Sequence, residues 1–263
     1  MNPELNLPPQ PAVAATETAP QNIFNRLVGV WFSPGETFAE IGRAPRVLIP
    51  MLILMVMGCL GGYLMVERIP LRTFFSPGFE QAVASGRMSQ EEADRQLETM
   101  TTGPVGKFTK VSIPLIGLIQ SPIIALILVG ICKLITMLSA GDNRFKPIFS
   151  VSLYTLLAIG LISTVLLVVV LFLKSPEDLD PNNLIGSNLA ALLTLAFGKD
   201  GLPKFIMGLA RWVDLFAIWM ISLLSIGYAA VSRGVKTSTM AMGLGGIYTL
   251  LALCAAAWTA FRG

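Results

Sequence analysis

Residues 148–173 run from Ile148 to Leu173 without one charged side chain. A bilayer core about 30 Å thick is crossed by roughly 20 helical residues, so this stretch is long enough to span one. Four more apolar blocks share its character. Residues 47–66 follow Arg43 and Arg46 and close on Glu67-Arg68; 113–138 carry Lys133 near their end; 212–231 begin with Asp214 close by; 240–261 close on Arg262. In lipid each backbone polar group must be satisfied within the protein, and uncharged runs of this length do so as helices. The blocks therefore predict an all-α, polytopic membrane helix bundle of about five transmembrane helices. Composition agrees: 13% of residues are charged, against about 25% in a soluble domain, and mean hydropathy is +0.69.

The same sequence removes several kinds of chemistry. There is no histidine, hence no imidazole ligand, general base or Ser-His or Cys-His nucleophile. Cys59, Cys132 and Cys254 each fall inside an apolar block without a partner at metal-ligand spacing, and read as small hydrophobes. No enzyme activity, metal or cofactor is expected. The net charge of +3 is too small and dispersed for nucleic acid.

Outside the blocks, residues 1–21 read as a disordered Pro/Ala-rich tail. No cleaved signal is expected there, since Glu4 precedes any basic residue and the first long apolar run begins near Val47. Residues 23–44 are amphipathic but interrupted. Ser33 reads as a helix N-cap, Pro34 as the first helical position and Glu36 as the far side of a capping box. They predict interfacial helices. The polar loop 67–112 holds a turn at Ser76-Pro77-Gly78 and a capping box, Ser89-Gln90-Glu91-Glu92, opening a short charged helix to about Met100. Residues 184–197 are apolar but short, and predict a re-entrant or interfacial helix, with a sixth span as the alternative. A helix starting at Pro203 is expected to run into the fourth span. With five spans, Arg144, Lys146, Arg233 and Lys236 share a side with Arg26, Arg43 and Arg46, which sets the N-terminus in the cytoplasm.

Few residues invite a functional reading. Asp214 is a candidate intramembrane or interfacial acid, with Arg211, three residues earlier, as its expected ion-pair anchor. Lys133 is expected to extend to the nearer interface. Gly58 with Gly62, and Ala252 with Ala256 and Ala260, are small-residue steps suited to close helix packing within the bundle or to dimerisation. Pro114 and Pro122 are expected to kink the second span.

Phe32-Ser33-Pro34-Gly35-Glu36-Thr37-Phe38, followed by Ile41 and by Pro45 before the first span, resembles the Yip domain family. These are the Ypt/Rab-interacting membrane proteins and their bacterial relatives. Gly141-Asp142-Asn143-Arg144-Phe145-Lys146, with Phe149-Ser150-Val151 and Tyr154, resembles the family's short loop and third-span start. Asp214-Leu215-Phe216, Trp219 and Gly227 resemble its fourth-span start. The chain lacks the proline often found soon after the tyrosine matching Tyr154, and its central loop is closer to the bacterial members. The resemblance implies five spans and a cytoplasmic N-terminus. It implies a Rab-type GTPase partner only in a eukaryotic setting, and no settled activity or catalytic residues in a bacterial one. The expectation is a non-enzymatic protein of the bacterial inner membrane that organises membrane or recruits partners, with the lipid bilayer, partner proteins or a second copy as associates. A transporter or permease subunit is the alternative, motivated by the kinked second span, the 184–197 run and Asp214. A membrane-embedded enzyme ranks third.

Overall fold

The computed structural model describes residues 22–176, 179–180, 183–198 and 201–262, and the expected tail over 1–21 lies outside the described residues. In chain order the elements are α1 (Ile23–Phe32), α2 (Pro34–Arg43), α3 (Leu48–Arg68), α4 (Leu71–Ala84), α5 (Gln90–Thr101) and α6 (Gly103–Leu138). There follow β1 (Asp142–Asn143), α7 (Phe145–Leu173), α8 (Leu189–Phe197), α9 (Lys204–Trp212), α10 (Leu215–Val231), β2 (Ser232–Arg233) and α11 (Thr237–Arg262). The chain is an all-α membrane helix bundle. Among the described residues four helices, α3, α6, α7 and α11, are long and apolar enough to cross a membrane.

α3 and α6 pack antiparallel at backbone distance. A Cβ on Gly58 would land on the Gly117 carbonyl, and one on Gly62 would come within 2.9 Å of the Pro114 Cα. Gly58 and Gly62 thus lie at a contact inside one chain. Pro114 and Pro122 both sit within α6, which begins ten residues before the expected block and remains one helix through them. The Ser76-Pro77-Gly78 turn does not form: Pro77 lies inside α4. Leu71 of α4 is buried, and packing of the helix against its neighbours outweighs the local turn preference despite the donor that proline lacks.

Three closures bring distant loops to one end of the bundle, here the N-terminal face. The β1–β2 ladder pairs Asp142 with Arg233 and Asn143 with Ser232, antiparallel, so the α6–α7 and α10–α11 connections touch. Gly42 lies against Val231. The Ser150 hydroxyl donates to the Arg46 carbonyl at 2.9 Å, fixing the start of α3 on α7. At the other end, the distal face, Arg68 donates twice to the Leu171 carbonyl, at 3.1 and 2.9 Å. From Ser150 to Leu171, α7 rises about 32 Å. A hydrocarbon layer about 30 Å thick fits between these two levels.

The stretch expected as one continuous fourth helix is divided. α9 and α10 both run along α11: Gly208 of α9 lies against Ala256 and Thr259, and the Tyr248 hydroxyl of α11 donates to the Trp212 carbonyl at 2.7 Å. Between them the chain leaves helical geometry at Val213, with φ −81° and ψ 81°, and restarts at Leu215. At nine residues, about 13 Å of rise, α8 is too short to be a sixth span.

Candidate functional site

Two of the polar arrangements among the described residues tie the starts of helices to their neighbours, one toward each face. The first is built around Ser33, the residue that ends α1 and begins α2. Its N–H donates to the Gly29 carbonyl at 2.7 Å, while the Thr37 hydroxyl donates to its carbonyl at 2.9 Å. Serving both helices, Ser33 makes no side-chain cap, so the expected capping box does not form. What forms is a helical hairpin in which residues equally far from Ser33 face one another. Gly29 lies against Thr37, and Arg26 pairs with Glu40 at 2.8 Å.

Arg26 is 0% exposed. Besides Glu40, its guanidinium donates to the Ala44 carbonyl at 2.8 Å and to the Tyr154 hydroxyl at 3.4 Å, and lies 5.6 Å from the Tyr154 ring centre. Burial pulls its pKa down, but the hydrogen bonds to Glu40 and Tyr154 and the negative charge of Glu40 outweigh that, leaving it above its ordinary value. A permanently charged residue therefore locks α1 to α2 and both to α7. The pair is not fully satisfied, since Arg26 Nε and Glu40 Oε2 are buried without partners.

This hairpin does not lie flat across the bundle's end. Phe38 meets Gly227 while Gly42 meets Val231, so α2 advances residue for residue beside α10. The Trp31 indole donates to the Ala158 carbonyl at 3.1 Å, eight residues past Ser150, or about 12 Å along α7. The hairpin tip enters the apolar belt, where Phe32 is 80% exposed; Phe24, two turns back at the start of α1, is 70% exposed nearer the N-terminal face. A groove of about 820 Å³ runs between its outer edges, lined by Phe24, Phe32, Glu36 and Arg43 among others.

The second arrangement surrounds the break before α10. Asp214 is the N-cap, its carboxylate accepting from the Ala217 N–H at 3.0 Å and from the Ser187 hydroxyl. Leu189 N–H donates to the Val213 carbonyl at 2.8 Å and Leu215 N–H to the Ser187 carbonyl at 3.2 Å. The beginnings of α8 and α10 are thereby tied together. Arg211 is exposed and forms no ion pair with Asp214, because the bend at Val213 ends the helical spacing that would have aligned them. Lys133 is exposed and reaches Asn143 at 3.4 Å, toward the N-terminal face. Ala252 and Ala256 are buried but Ala260 is exposed, so the small-residue step is packed only in part. Among the described residues no group of three His, Cys, Asp or Glu side chains could hold a metal ion.

The residues brought together at the first arrangement fall almost wholly within one recognisable unit. The Yip1 domain model matches residues 28–259. The chain belongs to the Yip1 domain family. Glu40, Tyr154 and Asp214 lie inside the Yip1 match, and Arg26 stands two residues before it. No curated protein and no solved structure matches the chain.

The sequence reading missed Arg26–Glu40, although a signal was present. Each is seven residues from the Ser33-Pro34 break; reading that break as a hairpin tip, not as the start of an independent helix, sets the two charges opposite each other.

Proposed function

We propose that this Yip1-family protein is a non-enzymatic membrane protein that organises the bilayer from its N-terminal face, which we place in the cytoplasm of a bacterial cell. The observation that supports this is the α1–α2 hairpin, locked by Arg26 and Glu40 with Phe24 and Phe32 exposed. A rigid amphipathic wedge entering one leaflet adds area to that leaflet and not to the other, the same physics by which interfacial helices respond to curvature. The hairpin also presents a surface on which a soluble partner could be recruited.

The test is reconstitution of the full chain into phosphatidylcholine vesicles, with size and shape imaged by cryo-electron microscopy. Increasing protein should shift vesicles toward smaller or tubular forms, and the Phe24→Ser/Phe32→Ser variant, at equal helix content, should do so far less. Vesicles unchanged by the wild-type chain at any loading would sink the membrane-shaping reading.

A transport role is the second reading, favoured by the broken α9–α10 run with Asp214 at the break. Discontinuous helices that expose backbone groups inside a bundle are how many transporters form substrate sites. Solute flux in proteoliposomes that is lost on Asp214→Asn would move the assignment there.

A further inference from the structure

The closures at the N-terminal face have an electrostatic result. Gly42 against Val231 sets Arg43 beside the end of α10. The β1–β2 ladder sets Arg144 near Arg233, and Lys236 immediately precedes α11. The bond from Ser150 to the Arg46 carbonyl brings Arg46 to the part of α7 that carries Lys146, one turn earlier on the same side. Five of these six cations are exposed and Arg46 is half-buried. Among the described residues none of the six forms an ion pair.

The acids nearby do not balance them. Glu40 is committed to Arg26, which leaves Asp142, opposite Arg233; Glu36, in the first turn of α2, is about 10 Å further along that helix from Arg43. Like charges held together repel unless anions lie among them. Directly beside the cations, Leu48, Ile49 and Phe145 are exposed, so the cluster borders the apolar belt and not open solvent. That is the level of lipid phosphates, which arginine grips through two donors at once and lysine as a point charge.

We infer that this face binds the headgroups of anionic phospholipids, with Arg46 and Lys146 as its paired centre. The inference shares with the proposed function the placement of the bundle in a bilayer and of the hairpin and both short loops on one side of it. Lipid preference and vesicle shape are separate readouts, so either can fail while the other stands.

The test incorporates the full chain into nanodiscs of phosphatidylcholine with a fraction of phosphatidylglycerol, then extracts it in mild detergent and measures retained lipid by native mass spectrometry. Phosphatidylglycerol should be retained above its share in the disc. Its ratio to phosphatidylcholine should fall about fivefold for each cation removed in Arg46→Gln and Lys146→Gln, equivalent to about 1 kcal/mol per charge. Lys107→Gln/Lys110→Gln, at the start of α6 on the distal face, should leave the ratio unchanged. The exchange Arg46→Lys with Lys146→Arg keeps both charges and should keep the preference, which separates loss of charge from loss of packing. Wild type without enrichment, equal losses at both faces, or loss in the exchange variant would overturn the inference. So would displacement of the lipid by free glycerol phosphate at comparable concentration, which would reassign the face to soluble anions.

Discussion

A guanidinium with no solvent contact is held in place by its partners, and the Arg26 cluster makes the consequences of removing either partner unequal to removing both. Arg26→Ala would strand the Glu40 carboxylate, whose Oε2 is already buried without a partner. Breaking a buried pair from one side costs about 3–5 kcal/mol, whereas replacing both members with apolar groups is often near neutral. Glu40 is 17% exposed, so water will soften the penalty toward the lower figure. We expect Arg26→Ala and Glu40→Ala each to lower the detergent-solubilised Tm markedly, and Arg26→Met/Glu40→Leu to recover most of the loss. Additive losses in that cycle would show that the two side chains act independently. What hides the pair's signal in the sequence is its dependence on a turn. Fourteen residues separate the charges, and the residue at the tip, Ser33, carries the marks of a helix start while also ending the helix before it. Tyr154, more distant still, could be linked to Arg26 only once α1 was known to stand beside α7.

Elements were legible wherever length and hydrophobicity alone decide them, as in α3, α7 and α11, and less so where one residue sets a boundary. α6 extends ten residues back into what read as loop, because Gly103-Pro104 can open a helix as readily as it can punctuate a turn. The division of α9 from α10 turns on Asp214. Its spacing from Arg211 suggested a surface ion pair, but an acid directly before a long apolar run is equally an N-cap signal, and capping is what it does. Asp214→Ala should therefore cost about 1 kcal/mol, the usual value of a lost cap, with a further loss from releasing Ser187. Asp214→Asn keeps an accepting oxygen and should cost less than half as much. Thermal unfolding of the two variants side by side checks this. Equal destabilisation would mean that the negative charge, not the cap, is what the break requires.

At the scale of the molecule, the number of crossings decides which loops share a side. Four helices meet the length for crossing unaided, while α10, with seventeen residues, rises about 26 Å and falls at the lower end of the usual range of about 17–25 residues. Its surroundings argue that it crosses nonetheless. It lies between α2, α7 and α11, its hydroxyl contact from Tyr228 to Ser152 on α7 is 2.6 Å, and α9 continues its path along α11 toward the distal face. If α9 and α10 together make a crossing, the α6–α7 and α10–α11 connections belong on the side of the hairpin, and the α4–α5 cap and the end of α11 belong on the other. Single-cysteine labelling tests this in a chain with Cys59 and Cys254 replaced by alanine and buried Cys132 left in place. A membrane-impermeant reagent should reach Lys146→Cys and Lys236→Cys from one side, and Arg95→Cys, Lys107→Cys and Ala260→Cys from the opposite side. Were Lys236→Cys to label with Arg95→Cys, α10 would not cross, the six cations would not share a face, and both the one-leaflet wedge and the headgroup site would lose their common footing.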